Sequence, residues 1–274
     1  MNKQFSLNVK KTLGYFLLMI FLLQGFSIIT FSVLKGHPQN GNLILLIDIA
    51  IRLAVAVIIV LLVKKNEGFL GIKLVGYINK KWILATAVFT FGLHILNTQL
   101  TNFFLHIFPL SDKLIRLAEH YDSNSSLVTI ILRLILIAPI TEELIYRGIF
   151  VNGLSKLYSK KTTFILTAVL FAISHGTAHQ IALAFITGIF LAWLYLKTES
   201  LLLTIGVHMA MNGLLPFISL LGIHIEGYTN VNFAVPSYHV WWWDMVGIVC
   251  LVLGVILYRN CNNKINNAEI NTNL

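Results

Sequence analysis

Along the chain, apolar residues run in long blocks separated by short polar connections. There is neither the strict alternation of a half-buried strand nor the one-sided stripe of a soluble amphipathic helix. A helix needs about 20 apolar residues to cross a bilayer. Blocks on that scale lie at about 13–34, 43–63, 82–108, 127–153, 163–176, 179–196, 201–223 and 241–258. The pattern predicts an all-α polytopic membrane protein with about eight transmembrane helices. The fifth block is short, and its Ser174-His175-Gly176 end predicts a helix that stops at the edge of a polar cavity.

Composition agrees: 57% of residues are hydrophobic and 11% charged, with a mean hydropathy of +0.80, against roughly a quarter charged in soluble domains. No Gly/Ser/Pro-rich linker divides the blocks, so residues 1–274 read as a single integral membrane domain. The Asn-rich end, 259–274, reads as a flexible cytoplasmic tail. The first block lacks a small-x-small cleavage pattern and reads as a retained anchor.

Cytoplasmic connections carry the excess of Lys and Arg. With the N-terminus inside, fourteen of the twenty basic residues fall on the cytoplasmic side; Lys35, Lys113 and Arg116 fall outside, and Arg52, Arg133 and Arg147 within spans. Both termini are therefore expected in the cytoplasm of a multi-pass cell-membrane protein. The net charge of +9 follows from this topology. Spread over five cytoplasmic pieces, it gives no argument for nucleic-acid binding; the bilayer itself is the partner it suits. Cys250 and Cys261 form neither a disulfide framework nor a metal spacing.

Ionisable side chains within hydrocarbon cost about 2.5 to 3.5 kcal/mol each on insertion scales, so each requires a reason. Asp48 and Arg52, in "LLIDIAIRLAV", are four apart on one helix face and read as a mutually neutralising pair. Arg133, near the outer end of the fourth block, reads as snorkelling to the headgroups. His94, Asn97, Gln99, Asn102 and His106, in "FGLHILNTQLTNFFLHIF", read as interhelical hydrogen-bonding groups. His37, His120, His224 and His239 lie in outer connections and receive no role.

The stretch "APITEELIYRG", residues 138–148, stands apart. Glu143 and Arg147 are four apart and can pair along one face. Glu142 points about 100° away and has no partner in its own helix. Pro139 lacks a backbone donor and predicts a kink whose freed carbonyl must be satisfied by water or a neighbour. Two later stretches supply partners from other helices: "FAISH", ending in His175, and "HMAMN", with His208 and Asn212 one turn apart. At 1.5 Å per residue, Glu142, His175 and His208 lie roughly 16, 18 and 11 Å from the cytoplasmic ends of their blocks. The depths allow them to meet.

In this order and spacing, "EELIYRG", "FAISH" and "HMAMN" resemble the EExxxR, FxxxH and HxxxN motifs of the CPBP family, also called Abi, of intramembrane proteases, which includes type II CAAX prenyl endopeptidases. The resemblance covers about residues 127–223, and every motif position is present. It implies a catalytic core there, within an intramembrane active-site cavity. Glu142 and His175 would activate water, His208 and Asn212 would stabilise the oxyanion, and Glu143 and Arg147 would organise the site. Whether such members use water alone or a metal stays open, since two carboxylates and two imidazoles could also hold zinc; the HExxH signature is absent.

The chemistry fits independently. Peptide hydrolysis needs a base placed to take a proton from water, and desolvation strengthens a carboxylate's hold on that proton. An oxyanion needs preorganised donors, and losing one typically costs about 10² to 10³ in rate. The leading expectation is an intramembrane endopeptidase acting on hydrophobic or lipid-linked peptides, and the family resemblance implies a role in peptide or bacteriocin processing or self-immunity. The alternative is a noncatalytic membrane scaffold or immunity protein that binds a partner and keeps the motifs only for folding. A proton-coupled transporter would use similar groups, but no internal repeat supports it.

Overall fold

The computed structural model describes residues 5–34, 41–68, 70–116 and 125–272, and no strand occurs among them. His37, His120 and the outer Lys35 lie outside the described residues. In chain order the helices are α1 (Val9–Leu34), α2 (Gly41–Glu67), α3 (Lys80–Ile107), α4 (127–154), α5 (Lys160–Ile173), α6 (Ala178–Thr198), α7 (Leu201–Leu220) and α8 (Trp241–Thr272). Side chains at their N-termini satisfy donors that no helical carbonyl reaches. Asn79 accepts from the amides of Lys81 and Trp82, Ser126 from Thr129, and Ser159 from Thr162.

Six of these helices, α1, α2, α3, α6, α7 and α8, are long and apolar enough to cross a membrane. The all-helical, polytopic architecture is the one the apolar blocks predict. The other two blocks are helical but differ from simple spans. α5 has 14 residues, about 21 Å of rise, which is short of a full crossing. α4 follows one helical path in which two stretches, Ile131–Ile137 and Leu144–Val151, are wound as π-helix. At the C-terminus the stretch expected as a flexible tail continues α8 as far as Thr272.

The contacts gather into two compact units. Unit 1 comprises Met1–Gly76 and Leu110–Asn212; unit 2 comprises Tyr77–Pro109 and Gly213–Leu274. In unit 1, α1 packs on α2, α2 on α4, and α5 on α6. Its core is built from residues such as Leu7, Ile59, Ile149, Phe150 and Leu154, all at 0% exposure. Large apolar side chains are also left outside, for example Leu17 and Phe21 on α1 and Leu46 and Leu61 on α2, where hydrocarbon rather than water is the solvent that accepts them.

Unit 2 rests on α3 against α8. The polar residues of α3 bind neighbouring elements, as interhelical hydrogen-bonding groups do. His94 Nδ1 lies 3.0 Å from the Tyr228 hydroxyl, the Asn102 amide donates to the Gly227 carbonyl at 2.7 Å, and the Gln99 amide donates to Asp244 at 3.0 Å. His239 joins this cluster: its backbone N–H donates to Gln99, and its Nδ1 lies 2.9 Å from Asp244.

Small residues let α3 and α8 approach closely, the usual device where lipid offers no hydrophobic drive. A Cβ at Gly92 would lie 2.6 Å from the Gly247 carbonyl oxygen and 2.8 Å from the Leu251 nitrogen. Gly92→Ala should therefore destabilise unit 2 by about 1–3 kcal/mol through overpacking. Gly14→Ala, where a Cβ meets nothing within 4 Å, should be neutral or stabilising by up to about 1 kcal/mol, because alanine favours the helix. Thermal unfolding of the detergent-solubilised variants checks both.

Candidate active site

All six motif residues belong to unit 1. α4 contributes Glu142, Glu143 and Arg147, α7 contributes His208 and Asn212, and His175 sits in the non-helical turn just past the end of α5. The helix ends at Ile173, just ahead of the Ser174-His175-Gly176 stretch at which the sequence predicts a stop.

Glu143 is the centre. Its carboxylate is 0% exposed, and one oxygen, Oε1, accepts from Arg147 Nη1 at 2.7 Å and from His208 Nδ1 at 2.8 Å. The sequence predicts the first of these bonds from the spacing of four. The second fixes the imidazole: a carboxylate only accepts, so Nδ1 carries the proton. Nε2 then faces the other acid and lies 3.9 Å from Glu142 Oε2. That separation is too long for a direct hydrogen bond, and one polar atom placed between them can bond to both.

The Arg147 guanidinium is 1% exposed. Its Nη2 donates to the Gly188 carbonyl on α6 at 3.1 Å, and its carbon lies 4.8 Å above the Phe171 ring. Phe171 also joins the two histidines, with its ring 4.9 Å from that of His175 and 5.7 Å from that of His208. The two imidazoles are thus no farther apart than these two separations combined. His175 Nδ1 lies 2.8 Å from the Phe171 carbonyl oxygen. That acceptor requires the proton on Nδ1, which leaves Nε2 of a neutral ring as a base.

Glu142 is about a quarter exposed, and its partner comes from α2: Arg52 Nη1 donates to Oε1 at 3.3 Å. The sequence predicts a partner from outside α4 and offers His175 and His208 for it, not Arg52. Asp48 and Arg52 do pair, at 2.8 Å, but not in isolation. Arg133, expected to snorkel outward, instead donates Nε to Asp48 Oδ2 at 2.7 Å. A carboxylate within reach satisfies a guanidinium at lower cost than a path to the headgroups. Arg133, Asp48, Arg52 and Glu142 form a chain of alternating charge.

Asn212 is exposed, and its amide donates to the Leu134 carbonyl at 2.9 Å. Winding explains this bond. Where each N–H reaches five residues back, as Ala138 does to Arg133, the donor for Leu134 would be Pro139, which has no N–H. Asn212 supplies it. The freed carbonyl expected at the proline is present, and Asn212 is its donor. The Thr141 hydroxyl likewise donates to the carbonyl of Ile137 at 2.8 Å. Sequence spacing brings out His208–Asn212 as a pair on one face but not this use of Asn212, which only the π register reveals.

The donor set does not suit a metal. Among the described residues no group of three or more His, Cys, Asp or Glu is arranged to hold an ion. The acid nearest His208 already shares its bonding oxygen with the Arg147 cation, and a second cation there would be repelled. No step below uses one.

The family model described as type II CAAX prenyl endopeptidase Rce1-like matches residues 124–214, about a third of the chain. All three motifs fall within that stretch. The chain is a polytopic membrane protein, and the match supports the CPBP, or CAAX protease, family for its motif-bearing region. It supports a protease of the CAAX endopeptidase type. Neither the curated proteins nor the solved structures contain a match.

Glu143 Oε2 and Arg147 Nε are buried without a hydrogen bond, a costly state for charged groups. Arg147→Gln should destabilise the protein by about 3–5 kcal/mol, since it leaves the Glu143 charge buried beside a neutral group. The double variant Glu143→Gln/Arg147→Met should recover part of that loss. A thermal double-mutant cycle in detergent reads the coupling; independent, additive losses would contradict the pairing.

Proposed function

We propose that this protein is an intramembrane endopeptidase whose general base is Glu142. The observation that carries the reading is the juxtaposition of Glu142 Oε2 and His208 Nε2 across 3.9 Å, with His208 oriented by a fully buried Glu143. Peptide hydrolysis needs a water proton taken at one point and negative charge met at another. Glu142 takes the proton, assisted by His175, whose Nε2 is left as a base by the Phe171 carbonyl. His208, oriented by the Glu143 carboxylate through Nδ1, meets the charge that develops on the scissile carbonyl. Asn212, with one amide hydrogen given to Leu134, has a second to direct at the same oxyanion.

The substrate class follows from where the site lies. A base set among spanning helices meets peptide bonds that enter from the bilayer, in hydrophobic or lipid-linked peptides. With both termini cytoplasmic, the site opens toward the cytoplasmic face of the cell membrane. By resemblance to the family alone, the role proposed is processing of a peptide signal or bacteriocin, or self-immunity to one. One observation favours the noncatalytic scaffold instead: Glu142 and Glu143 both already have cationic partners within the protein. A scaffold's phenotype would survive simultaneous loss of Glu142 and His208, and an enzyme's would not.

Glu142→Gln, which keeps shape and removes the base, should lower cleavage by at least about 10²-fold. Membrane peptides compared by mass spectrometry between cells carrying the wild-type protein and this variant should differ in a set of cleaved products. Identical peptide sets, or turnover retained by purified, folded Glu142→Gln, would refute the assignment.

A further inference from the structure

We propose that Arg52, far outside the stretch that carries the family motifs, is a positioning residue that holds the Glu142 carboxylate in its working orientation. The inference rests on the reading of Glu142 as the base and adds a residue to it. The two oxygens of Glu142 have separate neighbours: Oε1 takes the Arg52 guanidinium at 3.3 Å, and Oε2 faces His208 at 3.9 Å. With one oxygen held, the other is aimed. Immobilising a glutamate side chain costs rotamer freedom, and among its contacts with the described residues the Arg52 bond, at 3.3 Å, is the one short enough to hold it.

Arg52 is itself fixed. Its Nε donates to Asp48 Oδ2 one turn earlier on α2 at 2.8 Å, so the rigid guanidinium fork must present Nη1 on a set side. The same Asp48 oxygen accepts from Arg133 Nε at 2.7 Å. A pair that merely neutralised α2 for insertion would need Asp48 and Arg52 alone. It would not need a second arginine on Asp48, nor an Arg52 donor turned to an acid 90 positions away. Counted across all four groups, two arginines balance two carboxylates, so the charge of Glu142 is matched only if the whole chain stays together. These side chains are each about a quarter exposed, half-desolvated surroundings in which such pairs are stronger than in water.

A probe that needs no substrate tests this. Dicyclohexylcarbodiimide adds to protonated carboxyls in apolar surroundings, and a carboxylate held by a cation is shielded from it. The purified full-length protein in detergent is treated at fixed pH, and labelling of Glu142 and Glu143 is resolved by peptide fragmentation. Arg52→Gln should raise Glu142 labelling at least about tenfold, the effect of losing an opposite charge within about 4–6 Å. Glu143, still paired with Arg147, should not change, and Arg52→Lys should restore most of the protection.

Unchanged Glu142 labelling in Arg52→Gln would overturn the proposal. A parallel rise at Glu143 would also do so, because it would mean general loosening rather than a lost local partner. Should Arg52→Gln not fold, the charge-balanced Asp48→Asn/Arg52→Gln variant makes the same test with the same two outcomes. Labelling does not depend on turnover. Failure here therefore leaves the protease reading standing, and an active Glu142→Gln enzyme would remove that reading without touching this result.

Discussion

A carboxylate at 0% exposure within a membrane protein must be answered by its own fold, and Glu143 is answered by two groups on the same oxygen. Arg147 supplies the opposite charge from one turn along α4, and His208 supplies an N–H from α7. Because the guanidinium in turn reaches the Gly188 carbonyl on α6 and lies over Phe171 of α5, one ion pair draws four helices to a common point. Removing any member leaves a buried charge or an unmet polar group, which costs more than the contact itself contributes. That constraint sets the orientation of His208, and hence what Glu142 faces.

The backbone of α4 is fitted to this point by its irregularity. Two π-wound stretches flank Glu142 and Glu143, a form that concentrates at functional sites because it redirects side chains and frees carbonyls. Pro139 makes the freed carbonyl of Leu134 permanent, and Asn212 closes it from α7. The same helix pair is therefore tied twice, by His208 to Glu143 and, one turn on, by Asn212 to Leu134. Two ties fix both the separation and the rotation of α4 relative to α7.

Much of this was legible in the residues. Long apolar blocks stated the class outright, since only helices or closed barrels satisfy their backbone in lipid. The i, i+4 spacing of Glu143 and Arg147 stated a pair, and three motifs at matched depth stated a meeting point. What escaped was whatever depends on winding or on partners remote in sequence. Regular helical geometry predicts neither the π register of α4 nor the carbonyl that Asn212 meets. Asp48 and Arg52 look complete as a pair, so nothing nearby signals that Arg52 has a further donor for Glu142, or that Arg133 turns inward to Asp48. The short α5 was legible in its Ser-His-Gly end, because an apolar run that stops early announces a turn.

The most direct measurement is the protonation of the His208 ring. In protein labelled with ¹⁵N-histidine, the signal lost on His208→Gln identifies His208, and its two nitrogens report which one carries hydrogen. The account predicts a proton on Nδ1 that is hydrogen-bonded to the Glu143 carboxylate and perturbed by Glu143→Gln. A bare Nδ1 with the proton confined to Nε2 would contradict it.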